Sequence, residues 1–157
     1  MEQKYIDILL KYCNKAMKKE NIPISALIVK DNKVISVAYN KKESTNVSID
    51  HAEVIAIKKA CKKLKSWRLD DCILYTTLKP CKMCEGAIIE SRIKKVYYLL
   101  DSKYYKNDNF DIQYKKIDIE NDYEKIFKDF FIKLTMFHVK HINIIIYFLL
   151  FYYLIKK

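Results

Sequence analysis

Two short segments, His51-Ala52-Glu53 and Pro80-Cys81-Lys82-Met83-Cys84, constrain this chain more than any other feature. Imidazole and thiolate are the ligands that zinc prefers. Cys81 and Cys84 are three positions apart, so on a helix they share a face and can grip one ion. His51 lies thirty positions upstream, and it reaches the same ion only if the fold brings two helix starts together. Three protein ligands leave a fourth position for water, which marks a catalytic site rather than a structural one. Glu53 is two residues from His51, a spacing that turns the two side chains apart on a helix. It is therefore placed beside that fourth position and not as a further ligand. Helix starts favour ionised thiols. Two thiolates would also cancel the charge of the dication and weaken it as an acid, which makes a neighbouring carboxylate base more necessary. A CxxC pair alone also fits a redox couple or a zinc knuckle; the joint HxE…PCxxC pattern is far more specific.

Hydrophobic periodicity places these segments in an α/β chain. Ile6, Leu9, Leu10, Cys13 and Met17 recur at helical spacing and predict an amphipathic helix over 2–19, ended by Asn21-Ile22-Pro23. Residues 25–30 and 33–39 read as strands, with Asp31-Asn32 as a two-residue hairpin turn. Residues 40–50 are polar and loop-like. Residues 51–64 are helical, with Val54, Ile57, Cys61 and Leu64 on one face. Residues 72–77 form a strand, Pro80 opens a helix that runs to about Arg92, and 95–100 form another strand. Residues 101–118 are polar and Tyr-rich, and no element is assigned to them. Tyr123, Ile126, Phe127, Phe130, Phe131 and Leu134 predict a helix over 120–134. The order α-β-β-α-β-α-β-α is that of one α/β domain with helices covering a sheet, here set at residues 1–134.

Composition excludes some classes and leaves others open. The chain has 157 residues, enough for one domain with its own core. Its only glycine is Gly86, which rules out glycine-rich phosphate cradles. Lys and Arg number 30 against 19 Asp and Glu, a net +11. That excess suits a polyanion such as nucleic acid or an anionic membrane surface, although a compositional bias toward lysine leaves the same excess. Five cysteines, an odd number, and an opening segment without a secretion signal argue against a disulfide framework. A reducing cytoplasm is expected. Cys13, Cys61 and Cys72 read as core thiols, and Trp67 as core or interface. His138 and His141 are assigned no role.

The stretch from His51 to Tyr98 resembles the core of the bacterial tRNA-specific adenosine deaminases, within the cytidine deaminase-like zinc enzymes. Ser66-Trp67-Arg68-Leu69, Leu74-Tyr75, Pro80-Cys81, Met83-Cys84, Gly86-Ala87 and Ser91-Arg92-Ile93 carry the likeness, and Pro23-Ile24, Ala26 and Asn40 fall in register. The paired motif is the signature of zinc nucleobase deaminases. The resemblance implies a three-layer α/β/α sandwich with a mixed central sheet. It also implies one Zn2+ per subunit on His51, Cys81 and Cys84, with Glu53 as proton shuttle. Asn40 would contact the flipped base, and Ala26 would line the pocket with its backbone. The implied reaction is hydrolytic conversion of adenosine to inosine at the wobble position of a tRNA anticodon loop, by a homodimer. Lysines along 58–65, 94–95, 103–106 and 115–116 could contact phosphates. Ser25 stands where the family has glycine, Asp50 where a small residue is usual, and Lys79 where an acid is usual. The glycine-rich segment expected after residue 101 is missing. A deaminase of free guanine or cytosine-type bases or nucleosides is the alternative enzyme. A zinc-stabilised RNA-binding paralogue with impaired turnover is the alternative without one. The apolar run 142–155, inside a tail spanning 135–157, is shorter than the ~20 residues of a membrane helix; membrane contact through it is a lesser expectation.

Overall fold

The computed structural model of the protein describes residues 2–102, 112–118 and 121–138. The chain runs α1 (Glu2–Met17), β1 (Ser25–Lys30), β2 (Lys33–Tyr39), α2 (Lys42–Thr45), α3 (Ala52–Leu64), β3 (Ile73–Leu78), α4 (Lys82–Glu90), β4 (Lys95–Leu100), β5 (Gln113–Lys116) and α5 (Tyr123–His138). The expected order of elements is present, with α2 and β5 in addition.

Local chemistry explains the boundaries. Helix α1 buries Tyr5, Ile6, Leu9, Cys13 and Ala16 along one stripe. It stops two residues short of the expected end, where Lys18–Glu20 turn and Glu20 takes a left-handed φ of 58°. Asn21 is fully buried there; its side chain bonds both the backbone N–H and the hydroxyl of Ser44 and ties the end of α1 to α2. Asp31 and Asn32 both have positive φ, 48° and 59°, as the expected two-residue hairpin requires.

Five strands form one mixed sheet in the order β2-β1-β3-β4-β5. β1 is antiparallel to both β2 and β3, whereas β3, β4 and β5 run parallel. Because side chains alternate along a strand, each strand feeds two cores. Ala26, Ile28, Leu74 and Val96 pack with Ala52, Ala56, Ile57 and Ala60 of α3 and Ile88 of α4. On the opposite face, Leu27, Val29, Tyr75 and Leu99 pack with Tyr5, Ile6, Leu9 and Cys13 of α1 and Tyr123 of α5. The result is a three-layer α/β/α sandwich. Ala52, Ala56 and Ala60, four apart, give α3 a smooth face that lies close on β1 and β2, and the Ser36 hydroxyl donates to the Ala56 carbonyl at 2.7 Å.

Some expectations shift. Pro80 was expected to begin α4; it precedes the helix, and Cys81 is the N-cap. Helix α4 ends at Glu90 and α5 continues to His138, past the expected 134. β5 falls in the stretch that periodicity left unassigned. Residues 103–111 and the tail from 139, which includes the apolar run and His141, lie outside the described residues. Among the described residues, no helix is long and apolar enough to cross a membrane.

Two outcomes are expected. Leu74 is fully buried at the centre of β3, so Leu74→Ala should cost about 3 kcal/mol in urea denaturation. The Cys13 thiol donates to the Pro23 carbonyl, and burial pushes its pKa up from 9.0 to about 11. The unfolded chain therefore ionises this thiol first. The stability it contributes is complete below pH 9.0 and is lost as pH rises toward 11. In Cys13→Ser, denaturation midpoints should fall less steeply across that window.

Candidate active site

The site lies at the carboxyl end of β3, where its chain turns into α4 and meets the start of α3; crevices of this kind hold ligands in open α/β sheets. His51 is the N-cap of α3 and Cys81 the N-cap of α4, both with extended backbone, φ/ψ −74°/151° and −76°/171°. An N-cap side chain ordinarily bonds an amide of the first turn. Neither does so here; imidazole and thiol turn toward each other. Cys84 sits in the first turn of α4, one helical turn past Cys81.

His51 Nδ1 lies 3.7 Å from Cys81 Sγ and 3.5 Å from Cys84 Sγ, and all three donor atoms fall within 4.8 Å of one another. A tetrahedral zinc ion with Zn–S of about 2.3 Å and Zn–N of about 2.0 Å sets its ligand atoms about 3.5 Å apart. Spacing and donor chemistry therefore fit zinc, bound through Nδ1. Cys84 is buried and the other two are half-buried, so the cluster keeps one side accessible.

Electrostatics sort the donors. The hydrogen bond with Cys84 pulls Cys81 down to about 4, against the effect of burial, and the same bond, with burial, pushes Cys84 well up. The bond to Cys81 raises the pKa of His51. Glu53, in the first turn of α3, is only 4 % exposed. Burial pushes its carboxyl up to about 7, opposed by a backbone hydrogen bond, by His51 and by a hydrogen bond with Cys84. A carboxyl near neutrality can both take and return a proton. His51, Cys81, Cys84 and Glu53 are thus brought together.

The two other expected site residues, Asn40 and Ala26, are both buried. Asn40 is buried just beyond β2; its side-chain amide donates to Glu43 Oε2 at 3.0 Å and its backbone N–H to the Ile24 carbonyl at 2.8 Å. Ala26 is fully buried in β1 opposite Ala38 and Thr76, on the α3 side of the sheet. Ser25 proves harmless to that side. Its hydroxyl donates to the Leu9 carbonyl at 2.8 Å and accepts from the Cys13 thiol, so it faces α1. Asp50 accepts from the Thr45 hydroxyl through its carboxylate and from Lys41 N–H through its carbonyl, which shapes the loop leading into His51. No spacing or motif points to Tyr114 and Glu85, which are joined beside α4 by a hydrogen bond of 3.3 Å. Tyr114 sits on a four-residue strand, too short to show alternation.

This sandwich, with a His-Cys-Cys cluster and a buried carboxyl at its helix starts, has the cytidine deaminase-like fold. The chain belongs to the MafB19-like deaminase family, which matches residues 2–135. It is similar to the tRNA-specific adenosine deaminase of Buchnera aphidicola subsp. Schizaphis graminum, 36% identical over 138 residues, covering 81% of this chain and 91% of that protein. It is also similar to the tRNA-specific adenosine deaminase of Bacillus subtilis, 41% identical over 97 residues; there the match spans 62% of this chain but only 60% of the relative. Among solved structures, one from work on A-to-I editing by tRNA:A34 deaminases at the wobble position superposes with a TM-score of 0.62 at 34% identity, over 65% of this chain and 79% of that one. Guanine deaminase from Bacillus subtilis gives 0.61 at 38%, over 64% and 65%.

Removal of a donor gives a direct check. Elemental analysis of the purified chain should find about one zinc per chain, and Cys84→Ala should lose most of it, since two protein donors bind zinc far more weakly than three.

Proposed function

We propose that the chain is a zinc-dependent hydrolytic deaminase that converts adenosine to inosine at the wobble position of a tRNA anticodon. The observation that carries deamination is the buried Glu53 carboxyl beside three donors whose spacing suits one zinc ion. The tRNA substrate is supported by similarity to tRNA-specific adenosine deaminases, one of them matched over 91% of its length.

His51, Cys81 and Cys84 would hold the metal, which when bound lowers the pKa of water toward neutrality. Glu53 performs the proton traffic. Its carboxylate takes a proton from the attacking water and delivers it to the ring nitrogen next to the amino-bearing carbon. It then takes the remaining proton from the hydroxyl added to that carbon and passes it to the departing amine, so that the C–N bond breaks as the carbonyl forms and water and adenosine give inosine and ammonia. Burial suits Glu53 to both roles, because a carboxyl raised to about 7 takes a proton more readily than an ordinary carboxylate and, near neutrality, can still return it. The bases of an anticodon loop are already partly unstacked, which lowers the cost of turning one into the site. Asn40 would contact that base and Ala26 would line the pocket through its backbone. A homodimer working in the cytoplasm completes the reading.

A second reading, deamination of a free base, has one specific support: the similarity to guanine deaminase from Bacillus subtilis. The two separate cleanly. The zinc-loaded chain, incubated with an anticodon stem-loop, should yield inosine on nuclease digestion and chromatography; turnover of free guanine with an untouched stem-loop would install the second reading instead. Glu53→Gln should lower kcat by about 10²–10⁴-fold while zinc content holds. An active variant would remove Glu53 from its role.

A further inference from the structure

Lys79 stands two residues before Cys81, in the turn between β3 and α4. A cation so close to a metal-ligating segment opposes the metal and attracts anions, and the fold holds it with care. Its backbone N–H donates to the Leu100 carbonyl at 2.9 Å, pinning the turn between β3 and α4 to the end of β4. Its ammonium lies 5.5 Å from the ring centre of Tyr98 and 5.7 Å from that of Tyr114. These rings are diagonal neighbours on one face of the sheet, because Tyr114 pairs with Val96 and Tyr98 follows Val96 by two residues. The Tyr114 hydroxyl in turn donates to the buried Glu85 carboxylate on α4, one residue past Cys84. Lys79 is thus seated among β4, β5 and α4, on the β4–β5 flank of the donor cluster.

Aromatic faces attract an ammonium but do not neutralise it. No carboxylate pairs with Lys79 within 4.0 Å among the described residues. It is half-buried, with part of its surface open.

We propose that Lys79 is a phosphate-binding residue, held in place by Tyr98 and Tyr114, that takes a backbone phosphate of the polynucleotide whose base enters the metal site. The proposal rests on the tRNA reading. A nucleotide that reaches the donors brings its own flanking phosphates, and Lys79 is two residues from one of those donors. A free base brings none. Lys79 therefore favours a polynucleotide over a free base at the same chemical centre. The competing role is purely structural: a counter-charge for Glu85, reached through Tyr114.

The test measures binding of a fluorescently labelled anticodon stem-loop to the zinc-loaded full chain by anisotropy across a salt series. Lys79→Gln should weaken binding about fivefold at low salt and reduce the slope of log Kd against log salt by about 0.7, the loss of one single-strand phosphate contact. Lys79→Arg should restore both. Lys33→Gln removes the same charge at the far end of the sheet, next to the hairpin turn, and should change neither. Unchanged affinity and slope in Lys79→Gln overturn the proposal, and with a lowered thermal midpoint they establish the counter-charge role instead. Wild-type chain that binds the stem-loop through Lys79 yet forms no inosine would sink the editing reading and leave the phosphate contact standing. Wild-type chain that does not bind it at all overturns both.

Discussion

Everything chemical in this molecule depends on two helices starting side by side. Helices α3 and α4 lie on the same face of the sheet, and their first residues meet over the carboxyl end of β3. The three clustered donor atoms come from N-cap and first-turn positions, where backbone amides point outward and the helix dipole is positive. Such positions favour thiolate over thiol. They also join the metal centre to the two helix starts, because the side chains that would otherwise cap those helices are turned to each other. Zinc on these donors would therefore hold together segments thirty residues apart in sequence, and its binding would stabilise the packing of α3 against α4.

The second ingredient is the depth of Glu53. The same layer of small residues that lets α3 settle on the sheet places this carboxyl out of water, and burial raises its pKa. Packing and acid–base chemistry are here one fact. A larger residue at Ala52 or Ala56 would lift the helix, expose the carboxyl and return it toward the pKa of an ordinary glutamate.

Much of this was legible in the sequence because it rests on local rules. Helical spacing found α1, α3, α4 and α5 to within a few residues. Paired Asp31-Asn32 announced the hairpin, and the meeting of His51, Cys81 and Cys84 was legible in the paired motif and its donor chemistry. The misses have physical causes. Cys81 was read as a residue inside a helix begun by Pro80, but it caps the helix; sequence spacing alone does not distinguish a cap from a first turn. β5 carries Gln, Tyr, Lys and Lys, and what makes it a strand is parallel pairing with β4, a non-local contact that leaves no periodic trace. α2 is four residues long and held by side-chain bonds from Asn21 and Asn40. Ser25 stands where glycine is expected, and only the strand's alternation shows that its hydroxyl belongs to the α1 layer.

The orientation of Ser25 also bears on how the site acquires its ion. Five cysteines compete in principle for any soft metal that the chain meets. The sheet segregates Cys13 with Ser25 and Thr77 on the far layer, and burial holds the thiols of Cys13, Cys61 and Cys72 in their protonated form. Only Cys81 is held well below the ordinary thiol range, by its hydrogen bond with Cys84, and it stands against the imidazole of His51. Selectivity of loading is thus written into the layering of the fold: of all the sulfurs present, the one pair able to capture an ion is the pair that stands beside the base.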